Sequence, residues 1–348
     1  MRRVASVIVV LACLGPLRQA TAQDTHIRGF TDVTFNASDR AGTPTNFALG
    51  QFDLYITSAL APKWSFLGET VFEFDNDFVV DVERLMITFR PSAHVLFAIG
   101  KHHTPLGYWN TAYHHGTLMQ PTIQRPDMYL FEDDGGILPV HTTGALFAGR
   151  DLTPAHLGFD VMVGNGVGAT PISDNNQAKS LTVALHSQLT TALRVGVNYY
   201  RDRLTPGTAR IYGAPIDTVL PAGDTLTTAA TERMLGTYGV YLSPKIEIMG
   251  EYLRITHRPD GGGPSTGNDA AYLYAGYRIG KLVPYGRYDA LLFNAADPHF
   301  VADDFHRAIV GARYDFAATT QLKIEYHRKT TDRFGSANKL HVQVAIGF

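Results

Sequence analysis

The stretch KLHVQVAIGF (residues 339–348) decides the fold class. Leu340, Val342, Val344, Ile346 and Phe348 are apolar, while His341, Gln343, Ala345 and Gly347 fall between them. A period of two marks a strand with two unlike faces. The same alternation recurs upstream. In QLKIEYHRK, Leu322, Ile324 and Tyr326 oppose Lys323, Glu325 and His327. In ALRVGVNYY, Leu193, Val195, Val197 and Tyr199 oppose Arg194 and Asn198. In FDLYITSAL, Phe52, Leu54, Ile56 and Leu60 oppose Asp53, Tyr55 and Thr57. The charges inside these strands mostly occupy the non-apolar parity.

At the other end, MRRVASVIVVLACLGPLRQATAQ has a charged start, an apolar run from Val4 to Leu14 and the small-residue site Ala20-Thr21-Ala22. This predicts a secretory signal over residues 1–22, cut after Ala22. The run is shorter than the roughly 20 residues a spanning helix needs. The single cysteine, Cys13, lies inside it, so residues 23–348 hold no thiol for a disulfide or a Cys-based metal site. Without Arg2, Arg3 and Arg18 the chain keeps 27 basic against 32 acidic residues, a net charge of −5. That balance speaks against a nucleic-acid partner, which favours a basic stripe. No later stretch approaches 18 consecutive apolar residues. The 17 Tyr, 19 Phe and 33 Gly fit an all-β chain whose strands face lipid on one side and water on the other.

The alternating segments predict strands at 27–36, 47–60, 64–75, 80–90, 94–101, 141–150, 156–164, 179–189, 192–202, 231–243, 245–257, 269–279, 281–293, 305–316, 320–330 and 339–348, about sixteen in all. Their joints alternate. APK, PSA, DLTPA, TT, SP, GK and AAT are short; the joints at 203–230 and 258–269 are long and polar or Gly-rich. Short turns at one end and long loops at the other predict a transmembrane antiparallel β-barrel of the outer membrane. Residues 23–348 then form one multi-pass barrel with both termini periplasmic. Open edges are excluded in hydrocarbon, where each unpaired backbone group costs several kcal/mol. The last strand is therefore expected to pair with the first.

ERLMITFRPSAHVLFAIGKHHTPLGYWN (residues 83–110) resembles the phosphate-selective porin (O/P-type) superfamily of bacterial outer-membrane porins. The likeness is a strand, a short turn, a strand ending Gly-Lys, then Thr-Pro-Leu-Gly leading to an aromatic and Asn110. It implies a sixteen-stranded, homotrimeric channel for passive diffusion of small hydrophilic solutes, including anions such as phosphate. It also implies that the third external loop, residues 102–140, folds inward as a constriction. Phe348 and its alternating partners resemble the C-terminal signal read by the barrel assembly machinery. One departure is visible: the family's constriction is basic, whereas this loop carries Glu132, Asp133 and Asp134 beside Arg125.

The pore-lining and constriction candidates are Lys101, His102, His103, His114, His115, Arg125, Glu132, Asp133 and Asp134, with Arg84, Arg90, Arg287 and Arg313 on lumenal parity. Parity also points Arg28, Arg194, Arg278, Arg307 and Lys323 inward, and inward acids are expected at Asp32, Asp53, Glu69, Glu73, Asp160, Glu247, Glu251, Asp289, Asp315 and Glu325, so the two signs nearly balance. The strand at 94–101 reads in either parity, which leaves Lys101 at the base of the loop. Five of the fourteen histidines fall between 102 and 141. Histidine and carboxylate together suit zinc. Yet adjacent strand histidines point to opposite faces, so a wet pore lining is the plainer account, with His114 and His115 the candidate metal ligands. No cofactor and no catalytic group is assigned. The competing readings are a barrel with a His/carboxylate metal site or with a hydrolase at its rim; GxSxG is absent.

Overall fold

The computed structural model describes residues 24–74, 78–113, 118–131, 135–167, 176–212, 224–332 and 335–348. The expected signal segment lies outside the described residues. Sixteen strands run β1 Thr25–Ser38, β2 Asn46–Ala61, β3 Trp64–Phe74, β4 Phe78–Phe89, β5 Val95–His103, β6 His141–Gly149, β7 Leu157–Gly164 and β8 Ser180–Gln188. They continue as β9 Leu193–Leu204, β10 Ala230–Leu242, β11 Ile246–Pro259, β12 Thr266–Tyr277, β13 Leu282–Leu292, β14 Phe305–Ala317, β15 Thr320–Thr331 and β16 Gly335–Gly347. Each strand pairs antiparallel with its chain neighbours, and β1 pairs β16, so the sheet closes on itself. All sixteen expected ranges overlap an observed strand. The joint between β5 and β6 holds a short helix, α1 Tyr108–Ala112, and a 3₁₀ turn at Asp127–Tyr129.

Burial is inverted relative to a water-soluble domain. In β16, Leu340, Val344 and Ile346 are exposed, as is Phe348 just after it, whereas His341, Gln343 and Ala345 are buried. In β15, Ile324 and Tyr326 are exposed, while Lys323, Glu325 and His327 are buried. The charged parity therefore faces the barrel axis and the apolar parity faces out. Such an exterior is stable only in an apolar medium. Outward aromatics pair near both strand ends: Trp64 with Phe89 at 4.7 Å and Tyr314 with Phe316 at 4.8 Å at the short-turn end, Phe35 with Phe47 at 5.1 Å at the long-loop end. These match the two aromatic girdles that flank the apolar band of a membrane barrel.

One irregularity positions the site. The β3–β4 register shifts after Glu69↔Arg84, and the next pair is Thr70↔Val82. Glu83 is thus a bulged residue, and such bulges re-aim side chains next to functional sites. β4 pairs with β5 only from Leu85↔Lys101 toward the short-turn end.

Candidate functional site

The joint between β5 and β6 is held to strands far along the chain. Gly107 has φ +76°, and a Cβ there would overlap the Tyr129 hydroxyl and the Glu251 carboxylate. This tight turn aims the backbone N–H groups of Tyr108 and Trp109 at Glu251, each at 2.7 Å. The same carboxylate accepts from the hydroxyls of Tyr129 at 2.8 Å and Tyr272 at 2.7 Å. One buried anion on β11 therefore takes four donors, which suits its two oxygens. Asn110 Nδ2 donates to the carbonyls of Thr104 at 2.9 Å and Val140 at 3.0 Å, tying the two ends of the joint together. Around this anchor, Leu106, Trp109, Met128, Ile137 and Leu138 pack with Met234, Met249 and Ile255 on the inner face of β10 and β11.

A second anchor lies on β13 to β15. The Arg125 carbonyl accepts from both Arg287 and Arg307 at 3.0 Å. Arg307 also pairs with Asp127 at 2.6 Å, and both arginines share Asp289. Burial raises the Asp127 carboxyl above its ordinary range against the pull of Arg307. Ile123 N–H donates to Glu325 at 2.7 Å, as does the Tyr285 hydroxyl at 2.6 Å. Arg125 stacks on Phe131, its guanidinium carbon 3.8 Å from the ring centroid.

Beside this docked joint, lined by it and by β3 to β6 and β14 to β16, is a cavity of about 950 Å³. Its lining carries Lys101, Arg125, Arg307, Lys329 and Lys339 against Glu73, Asp81, Glu83 and Asp127, with His141 and His327. Lys101 Nζ donates to the Val82 carbonyl at 2.7 Å and lies 3.6 Å from Asp81, bridging the β4–β5 seam. His141 pairs with Glu83 at 2.6 Å, and its ring is 5.9 Å from that of His103.

The other expected residues divide as follows. His102 is buried in the wall, on the opposite parity to His103. Arg84 pairs with Glu69 on the inner face. Arg287 lies in the second anchor. Arg313 binds Glu247 at 2.8 Å and Asp315 at 3.1 Å, nearer the short-turn end. Arg90, expected on lumenal parity, follows β4 in the short turn, is exposed, and bonds Lys63 through its backbone; β4 ends one residue too early to carry it inward. His114, His115, Glu132, Asp133 and Asp134 lie outside the described residues. Among the described residues no group of three or more His, Cys, Asp or Glu is placed to hold a metal ion. Glu251, Arg307 and Glu325, expected only as inward charges, anchor the joint, and the sequence reading singled out neither Asp127 nor His327. Inward parity was the available signal for four of them; nothing local marks Asp127.

No protein-family model matches the chain, and no curated protein matches it. Solved structures do. An anion-selective porin from Comamonas acidovorans aligns with TM-score 0.65 at 11% identity, over 94% of this chain and 100% of that one. A loop-deletion form of OmpT, an outer membrane protein of Vibrio cholerae, aligns with TM-score 0.62 at 14% identity, over 94% and 100%. Salmonella typhi OmpF aligns with TM-score 0.60 at 12% identity, over 93% and 97%. At these identities the similarity establishes a shared fold, the closed sixteen-stranded barrel of outer-membrane porins.

Proposed function

We propose that the chain is an outer-membrane channel for passive diffusion of small hydrophilic solutes, with small anions such as phosphate passing ahead of cations, and that it has no enzymatic role. The joint at 104–140 folds into the lumen and narrows it. The observation that carries this reading is the 950 Å³ cavity left between that joint and the charged inner faces of β3 to β5 and β14 to β16. Its described lining has five cations and four carboxylates, one positive charge in excess. Charges of both signs across a narrow, low-dielectric passage focus the field on a passing solute. The anion-selective porin among the similar structures supports the same direction, and a trimer form of Vibrio cholerae OmpT supports a homotrimer. Both termini then lie in the periplasm, after removal of residues 1–22 and insertion by the barrel assembly machinery.

The test is a planar bilayer with asymmetric KCl. Discrete ohmic steps with a reversal potential on the anion side are expected. Silence, or reversal on the cation side, would contradict the proposal.

A further inference from the structure

Away from the lumen, the outer faces of β9, β10 and β11 share a patch that the channel does not use. Arg201 and Arg203 on β9, Arg233 on β10, and Arg254 and Arg258 on β11 are all exposed. Their chain neighbours Tyr200, Asp202, Glu232, Met234, Leu253 and His257 are buried, so by alternation these five arginines point out of the barrel. The register groups them. Arg201 stands directly opposite Arg233. One step nearer the long loops, Thr231 stands between Arg203 and Arg258. Arg254 pairs with Leu235 one step the other way.

Two carboxylates answer five guanidiniums. Arg203 binds Asp260 at 2.8 Å, and Arg254 binds Asp269. Among the described residues Arg201, Arg233 and Arg258 have no ion-pair partner. Like charges directly opposed across a strand pair are destabilising, so the Arg201–Arg233 pair lacks the anion that would make it favourable. Height fixes what that anion is attached to. The outward residues next toward the short turns are Val197, Thr237 and Tyr252, and then Val195, Gly239 and Gly250, with no charge among them. Tyr199 and Tyr252 therefore mark the girdle, and the arginines start at or just beyond it. An Arg on the lipid face costs roughly 2–4 kcal/mol at the bilayer midplane and about 0–1 near the interface. These side chains belong at headgroup level, where each basic residue adds attraction to anionic lipid.

We propose that this patch binds a phosphate-bearing lipid headgroup in the leaflet at the long-loop end, with Arg201, Arg233 and Arg258 gripping phosphate oxygens. Guanidinium suits this because its planar fork matches a phosphate in two hydrogen bonds at once. The inference rests on the outer-membrane placement proposed above and is independent of conduction.

The experiment uses the full-length folded protein in non-ionic detergent, with native mass spectrometry of bound lipid. The probes are lipid A, an acylated glucosamine disaccharide bearing phosphates, its dephosphorylated form, and phosphatidylethanolamine. Wild type retains lipid A and neither of the others, and a large excess of inorganic phosphate leaves it bound. The variant R201Q/R233Q/R258Q loses at least about tenfold in retention, since each basic residue contributes roughly a fivefold factor. K245Q/K281Q, at exposed positions of the short-turn end, keeps wild-type retention. Heat-modifiable mobility and single-channel steps confirm that each variant is folded. Equal retention by wild type and the triple variant would overturn the proposal, as would equal binding of the dephosphorylated lipid or displacement by free phosphate. Retention in a protein that proves non-conducting would leave this inference standing and remove the channel.

Discussion

Phe348 closes the barrel on Gly29. The Gly29 N–H donates to the Phe348 carbonyl, and the Phe348 N–H donates to the Gly29 carbonyl, each at 2.9 Å. The Phe348 ring lies across the space a Gly29 side chain would fill, and stacks on Phe52 with centroids 5.9 Å apart. An aromatic laid over a cross-strand glycine is a known way to pin register. Phe348→Ala is expected to destabilise the barrel by roughly 1 kcal/mol, and Gly29→Val to cost more by evicting the ring. Refolding of purified protein into detergent measures this free of any assembly machinery. Equal refolding yield and melting temperature for wild type and Gly29→Val would refute the role of this contact.

The parity of β16 predicts unequal costs for one substitution at adjacent positions. Val344 is 40% exposed and points outward; Gln343 is 2% exposed and donates to Asp32 at 2.8 Å. Val344→Arg places a guanidinium in the apolar band, at about 2–4 kcal/mol near its middle. Gln343→Arg places it on the inner face beside a carboxylate. Val344→Arg should therefore give less heat-modifiable, folded protein. The same yield from both variants would invalidate the register.

Glu251 is the anchor whose loss should loosen the joint. Glu251→Gln replaces an acceptor of four hydrogen bonds with a group that is itself a donor on one side. Hydrogen bonds to a charged group contribute about 1.5–3 kcal/mol each, so anchoring should weaken by at least about 3 kcal/mol. The variant should fold, with larger and noisier single-channel steps. Wild-type conductance and noise would show that the joint is held without this carboxylate.

A pH dependence is expected in the joint at 293–304. Burial, helped by nearby His257, lowers the pKa of His299 to about 3. Burial pushes the Asp297 carboxyl up, but the hydrogen bond and charge of His257 hold it below its ordinary range, where it receives the backbone N–H groups of His299 and Phe300 at 2.9 and 2.8 Å. A depressed histidine is neutral when the joint is closed and titrates near 6.5 when open. Closure is thus at full strength above about pH 6.5 and weakens as pH falls toward 3, by about 2 kcal/mol at pH 5. Amide exchange at 297–301, corrected for intrinsic rate, should accelerate over that window, and His299→Phe should flatten the change. An unaltered pH profile in His299→Phe would assign it to other groups.

The strands were legible because lipid and lumen impose opposite polarity on alternate residues, so a period of two survives even where Lys323, Glu325 and His327 sit in one strand. The joint's length and place were legible too. Its anchors were not: Glu251 meets Tyr108 across 143 residues, and Arg287 meets Arg125 across 162. Nothing local in either sequence segment reports such a pairing. The β4–β5 seam failed for a different reason. The bulge at Glu83 and the early end of β4–β5 pairing break the alternation on which parity reading depends. Lys101 could not be assigned a face because VLFAIG before it is apolar on both parities, and Arg90, expected inside, is not, because β4 stops at Phe89, one residue before it.

The most direct test of the channel account is the single-channel conductance of wild type beside a variant in which a short Gly-Ser join replaces residues 112–134. That segment carries the second anchor, including Ile123, Arg125 and Asp127. The account predicts discrete ohmic steps for both proteins and a larger step for the deletion, with heat-modifiable mobility intact. Equal steps from a correctly folded deletion would put the joint outside the conducting path, and no steps from either protein would contradict the channel itself.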